Sequence, residues 1–153
     1  MLEDPEKKRD YLEPFIFFLI VFGIYFTSFY SYLLFHTLAE IFSIVIAGGI
    51  FVIGWNSRKN IDNSFFLVVG VSFLFVGFID IIHTLAYPGM NIFTEYDTNL
   101  PTQLWIAARY LQAFSFLLAS LVVNKRVKPI LITMSYLLET SILVYMLKAN
   151  NSL

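Results

Sequence analysis

The chain has 153 residues, of which 58% are hydrophobic and only 14% are charged, with a formal net charge of -1. A soluble domain carries about 25% charged residues, so this composition excludes a soluble globular protein and indicates an integral membrane protein. The small net charge gives no electrostatic basis for binding nucleic acid. The chain contains no cysteine, which excludes disulfides and thiolate metal sites.

Five apolar segments follow a charged lead-in, residues 1–13, that is too acidic for a cleaved signal peptide. A helix needs about 20 residues to cross a bilayer, and the predicted spans are 14–31, 32–55, Phe65–Ala86, 103–123 and 129–147. The turn signals in "FTSFYSYLLF" are weak, so residues 14–55 form either two spans with a sharp turn around 28–31 or one long tilted helix. We predict one membrane domain, residues 14–147, and a tail, 148–153.

Apart from Arg109 and Lys148, the basic side chains lie in three places, while loop 87–102 contains Glu95 and Asp97 but no lysine or arginine. They are Lys7, Lys8 and Arg9 before the first span, Arg58 and Lys59 after the second, and Lys125, Arg126 and Lys128 after the fourth. The positive-inside rule places such segments in the cytoplasm. We therefore predict an all-α, polytopic transmembrane helix bundle of the cell membrane with about five spans and a cytoplasmic N-terminus. We interpret "NKRVK" as an orientation signal, because it is too short for a lipid-binding patch.

The tetrapeptide HTLA occurs twice, and it contains the only two histidines, His36 and His83. Each lies a few residues from an acid: Glu40 follows His36 by four positions, and Asp80 precedes His83 by three, spacings that place side chains on one helical face. In a hairpin centred near Asn60, the two acids are equally far from the turn, and the distances of the two histidines differ by one residue. The sequence therefore predicts a layer of imidazoles near the outer surface and a layer of carboxylates one turn deeper.

A fifth polar group, Arg109, is predicted at about the depth of the two acids. Ionisable groups at such depth normally face the bundle interior or a water-filled cavity. Glu139 in the last span is predicted to pair with Arg109. The glycines of "IAGGIF" and those at positions 54, 70 and 77 are predicted to permit close helix packing.

Four interpretations of this polar cluster remain open. Imidazole and carboxylate suit a divalent transition metal such as Zn, Mn, Fe or Cu, with His36, Glu40, Asp80 and His83 as ligands. Alternatively, the two histidines clamp a haem. A third possibility is a water-filled pocket in which Arg109 binds an anionic ligand and the histidines titrate. The fourth is a structural network in which the acids orient the imidazoles.

Three segments of the chain, found in the same order as in a known family, carry a family resemblance. They are "YLLFHTLAEIFSIVIAGGIFVIGWNSRK", "FVGFIDIIHTLAYPGM" and "TQLWIAARYLQAFSFLLA", and they resemble the third type of membrane-associated sensor domain, an input module of prokaryotic signalling proteins. The resemblance implies functional roles for His36 and Glu40, for Asp80, His83 and Tyr87, and for Trp105 and Arg109. It also implies a cytoplasmic or membrane signalling partner, such as a histidine kinase, a PAS protein or a diguanylate cyclase.

We therefore expect a sensory input domain that catalyses no reaction and recognises a metal, a haem or a small ligand in its outer half, with Arg109, Trp105 and Tyr87 as ligand-binding residues. Members of this family tend to continue with further helices, so the chain is expected to be a truncated input domain or a remnant that works through a partner. Two other functions are a haem-based membrane electron carrier and a structural membrane subunit.

Overall fold

The computed structural model describes residues 5–60, 62–96 and 99–151. Five α-helices follow one another in this part of the chain: α1 (Pro5–Thr27), α2 (Tyr32–Ser57), α3 (Phe65–Ala86), α4 (Leu100–Leu121) and α5 (Pro129–Asn151). Apolar spans fold as helices because the bilayer interior contains no hydrogen-bond partners, so the backbone N–H and C=O groups must bond to each other. The predicted all-α architecture is confirmed.

Four of the helices, α2 to α5, are long and apolar enough to cross a membrane. The apolar part of α1, Tyr11–Thr27, is shorter than these candidate spans, so a fifth span stays a prediction. The orientation of the N-terminus also stays a prediction. Some of the charged groups used to predict the orientation lie outside the described part of the chain. They are Asp97 and the side chains of Lys7, Lys8 and Arg9. Residues 1–4 of the lead-in and 152–153 of the tail also lie outside it.

The helix boundaries agree with the predicted ones most closely in α3, which spans the predicted residues. Helix α1 begins at Pro5 rather than at residue 14 and continues through Pro14. A break around residues 28–31 is confirmed, because α1 ends at Thr27 and α2 begins at Tyr32, with hydrogen-bonded turns between them. The alternative of one long helix is therefore wrong. How sharply the chain turns there stays a prediction.

The chain divides into two compact units, Met1–Ala39 and Glu40–Leu153. The first unit contains α1, the turn and the beginning of α2. Within it, aromatic rings pack edge to face along α1, as between Phe22 and Phe26 and between Tyr25 and Phe29. The second unit contains the rest of α2 and the other three helices.

Helix α3 is the centre of the second unit, with twelve buried residues against seven in α4 and four in α5. Its neighbours in the core are α4 and α5. Phe75 of α3 stacks on the ring of Tyr136 of α5, whose hydroxyl donates a hydrogen bond of 2.7 Å to Ser115 of α4. Apolar packing and this hydroxyl pair thus join the three helices at mid-height.

Helix α2 approaches α3 most closely where two glycines face each other. A Cβ added at Gly54 would lie 2.8 Å from the Cα of Gly70, and one added at Gly70 would lie 2.9 Å from the Cα of Gly54. Real Cβ atoms do not come so close to backbone, so both positions require glycine. Further along, a Cβ at Gly77 would lie 3.4 Å from the methyl group of Ala47, which is ordinary contact.

The predicted role of the glycines in helix packing is confirmed at Gly54 and Gly70. It is wrong for Gly48 and Gly49, where an added Cβ would meet no described atom within 4 Å. These two glycines lie on α2 away from α3, so packing against described residues does not explain them.

The glycine contact also sets the register of the hairpin formed by α2 and α3. The pairs Gly54–Gly70 and Ala47–Gly77 are both centred on residue 62, two residues beyond the centre assumed from the sequence. A shift of two residues at the turn displaces facing residues by four, which is about 6 Å along a helix. Glu40 therefore does not lie level with Asp80, and the predicted layer of two carboxylates is wrong.

We predict that Gly54→Ala lowers the free energy of unfolding by about 1–3 kcal/mol, the usual result of overpacking. Gly49→Ala is the matched control, because its added methyl group meets no described atom and alanine favours a helix. Both variants would be unfolded by SDS titration in mixed micelles, followed by circular dichroism. Equal stability of the two variants would show that the glycine contact does not hold α2 against α3.

Candidate functional site

Two ionisable side chains of α3 lie in the interior of the second unit. Asp80 is 3% exposed and His83 is 4% exposed, and their spacing of three residues places them on the same side of the helix. An apolar helix in a membrane rarely contains ionisable residues, and those it does contain normally have partners. The partners of these two side chains come from α2 and α4.

The His83 ring is oriented by a backbone carbonyl in the first turn of α4. Its Nδ1 lies 2.7 Å from the carbonyl oxygen of Pro101. A carbonyl oxygen only accepts hydrogen bonds, so Nδ1 carries a proton and donates. In a neutral ring this leaves the lone pair on Nε2.

Nε2 of His83 faces the carboxylate of Glu40 on α2, with 3.7 Å between Nε2 and Oε1. If the ring is neutral, a lone pair faces an anion and the two repel each other. The contact becomes favourable when a cation lies there, either a proton on Nε2 or a metal ion bound by both atoms. This pair is thus a site with affinity for positive charge.

Asp80 is balanced by Arg109 of α4, whose Nη2 donates to Oδ2 at 2.5 Å. The Asp80 side chain is 4% exposed and that of Arg109 is 38% exposed, so the carboxylate is the buried partner. The other carboxylate oxygen, Oδ1, and the Nε of Arg109 are both buried and have no hydrogen-bond partner among the described residues. The prediction that Arg109 lies near the depth of Asp80 is confirmed.

These partners decide the charge of the site. Glu40, Asp80 and Arg109 together have a formal charge of -1, and one further positive charge would neutralise it. Since Arg109 pairs with Asp80, the excess negative charge lies at Glu40, next to Nε2 of His83. The arrangement can therefore hold a cation, and it offers both a nitrogen and an oxygen ligand.

Tyr87, another of the predicted site residues, lies beside His83. It follows α3 directly, and its ring meets that of His83 edge to face at 6.2 Å. It also lines a cavity of about 230 Å³ formed by the loop that leads to α4. Trp105 is 45% exposed on α4, and in the described part of the chain no hydrogen bond or ring contact joins it to the site.

His36 belongs to the first unit, where its ring stacks on Tyr32 at 6.3 Å. Its role as a metal ligand, like the ligand roles of Asp80, Glu40 and His83, stays a prediction. The predicted pair between Arg109 and Glu139 is wrong, because Arg109 bonds to Asp80 and Glu139 is exposed in a groove between α4 and α5.

The role of the Pro101 carbonyl in orienting His83 could not be predicted from the sequence. Every residue carries a carbonyl, so nothing in the sequence distinguishes this one. The nearest signal was the proline itself, since proline is favoured in the first turn of a helix and locates the start of α4.

The fold and the site define an integral membrane protein of several spans with a polar site inside its bundle. The MASE3 family, described as a membrane-associated sensor domain, matches residues 27–153. The match covers most of the chain, so the chain belongs to this family and is a multi-pass membrane protein. No curated protein and no solved structure gives a significant match.

We predict that Arg109→Met lowers the free energy of unfolding by about 3–5 kcal/mol, because it leaves the buried Asp80 carboxylate without a counter-charge. The double variant Asp80→Asn/Arg109→Met should recover most of this loss. Unfolding in SDS mixed micelles would give the coupling energy of the pair.

Arg126→Gln is the control for this prediction. It removes an arginine from an exposed pair with Asp62, so it should change the stability by less than about 1 kcal/mol. If the double variant were as unstable as Arg109→Met alone, the loss would come from packing of the arginine rather than from its charge.

Proposed function

We propose that this membrane-associated sensor domain is a sensory input module of prokaryotic signal transduction and that it detects a divalent transition metal ion bound between Glu40 and His83. The observation that carries the proposal is the fixed His83 ring, whose Nε2 faces a carboxylate oxygen at 3.7 Å. A metal ion between them would join the two side chains through two coordination bonds.

The chemistry of the partners supports a metal. Imidazole and carboxylate together suit Zn, Mn, Fe or Cu. A histidine that binds a metal almost always donates its other N–H to a carboxylate, a carbonyl or water, which fixes its tautomer. The bond from Nδ1 of His83 to Pro101 is of this kind.

Asp80 is better suited to a supporting role than to coordination, because Arg109 already neutralises one of its oxygens. Further ligands are needed to complete a coordination shell, and His36 is the predicted one. It precedes Glu40 by four residues, the spacing that aligns two side chains on one helix.

A bound ion would act as a sensor signal by joining α2 to α3. Since α3 packs against α4 and α5, a change in how α2 lies on α3 reaches the rest of the second unit. The ion shifts the equilibrium between two packings only as far as it binds one of them more tightly. The partner that responds would be a histidine kinase, a PAS protein or a diguanylate cyclase, as the family resemblance implies.

We predict that the purified full chain, stripped with chelator, binds Co²⁺ with the absorption bands of nitrogen and oxygen coordination and that Zn²⁺ displaces it. His83→Gln and Glu40→Gln should each weaken binding by at least about tenfold, since even loss of an outer-shell partner has an effect of this size. The affinity would be measured by optical titration, with circular dichroism as a check of folding.

Glu139→Gln is the matched control, because it also removes a carboxylate from a candidate span but lies away from His83. It should leave the affinity unchanged, while His36→Gln and Asp80→Asn test the two other predicted ligands. A wild-type chain that binds neither ion would overturn the proposal. A Soret band in the purified protein would assign the histidines to haem instead.

A further inference from the structure

The two basic loops of the second unit are joined into one surface. The backbone N–H of Ser64, just before α3, donates to the carbonyl of Lys125 at 3.1 Å. The Ser64 hydroxyl accepts from the backbone N–H of Val127 at 2.8 Å. Ser64 is only 3% exposed, so these bonds are shielded from competition by water and hold the loop after α2 against the loop after α4.

This junction brings five cationic side chains to one end of the bundle. They are Arg58, Lys59, Lys125, Arg126 and Lys128, and Asp62 is the acid among them. Neither loop alone has the four to eight basic residues typical of a surface that binds anionic lipid. Together the two loops contribute five basic residues, which falls within that range.

A pocket of about 190 Å³ opens within this surface. Arg58 and Arg126 line it, together with Ser64 at the beginning of α3 and Pro129 at the beginning of α5. The first N–H groups of a helix have no partner inside it and carry partial positive charge. Pro129 has no N–H, and the N–H of Phe65 already donates to a side-chain oxygen, so the affinity of this pocket for an anion comes mainly from the two guanidinium groups that line it.

The two arginines are held differently. The guanidinium of Arg58 lies 4.1 Å from the centre of the Trp55 ring and donates to the Trp55 carbonyl, so it is fixed at the rim of the pocket. Arg126 pairs with Asp62, but the side chains are 76% and 88% exposed. An exposed pair contributes only about 0–1 kcal/mol, so a phosphate can displace Asp62 from Arg126.

The position of the pocket relative to the membrane indicates where the anion comes from. Candidate spans end at Ser57 and Leu121 and begin at Phe65 and Pro129, so this end of the bundle lies at a membrane surface. Trp55 beside the pocket is of the residue type enriched at that depth. We propose that the pocket binds the phosphate of an anionic phospholipid, with Arg58 and Arg126 as its cationic contacts.

The test uses the full chain in vesicles of phosphatidylcholine and phosphatidylglycerol, with one of the two lipids brominated. Trp105→Phe leaves Trp55 as the only tryptophan, and quenching of its fluorescence reports the lipid bound beside Arg58. We expect phosphatidylglycerol to bind at least about fivefold more tightly than phosphatidylcholine. Arg126→Gln should remove most of this preference, and Asp62→Asn should increase it.

Lys128→Gln removes the same charge from the same surface but from outside the pocket, so it should keep most of the preference. The proposal is overturned if the wild-type chain shows no preference. It is overturned too if Lys128→Gln and Arg126→Gln weaken the preference equally, which would mean diffuse attraction without a pocket. Loss of the preference in excess inorganic phosphate would assign the pocket to a free anion rather than to a lipid.

Discussion

The contact between the backbones of α2 and α3 at Gly54 and Gly70 is the constraint on which the polar site depends. With no side chain on either residue, the two helices come within van der Waals distance of each other's main chain. This contact sets the register of the hairpin, and the register brings Glu40 to His83. A different register would leave two carboxylates facing each other in a medium where neither is well solvated.

Helix α3 has two roles in the second unit. It is the most buried helix of the second unit, and it also carries the acid and the imidazole of the site. Each of these groups has its own partner on another helix: Arg109 on α4 for Asp80, and Glu40 on α2 for His83. The ion pair with Arg109 therefore holds α3 against α4, and a cation between His83 and Glu40 would hold it against α2. The hydrogen bond between Tyr136 and Ser115 joins α4 to α5.

Most of the fold follows from the sequence, because hydropathy and turn residues locate helices in a membrane with little ambiguity. The limits of α3 and the turn before α2 follow in this way. The site follows only in part. Helical spacing places Asp80 and His83 on one face, but the pairing across helices depends on a loop offset of two residues that no pattern encodes. The bond from His83 to Pro101 depends on how α4 packs, and the partner of Arg109 depends on which of two acids lies closer.

The glycine contact lies close to one end of the hairpin, so α2 extends much further from the contact on one side than on the other. From Gly54 to Glu40 is fourteen residues, about 21 Å of helix, while the three residues from Gly54 to the end of α2 at Ser57 span about 5 Å. When α2 tilts about this contact, a displacement at Glu40 is therefore nearly five times as large as the displacement at Ser57. Rotation of α3 about its own axis is not reduced in this way, because it does not depend on the distance from the glycine contact.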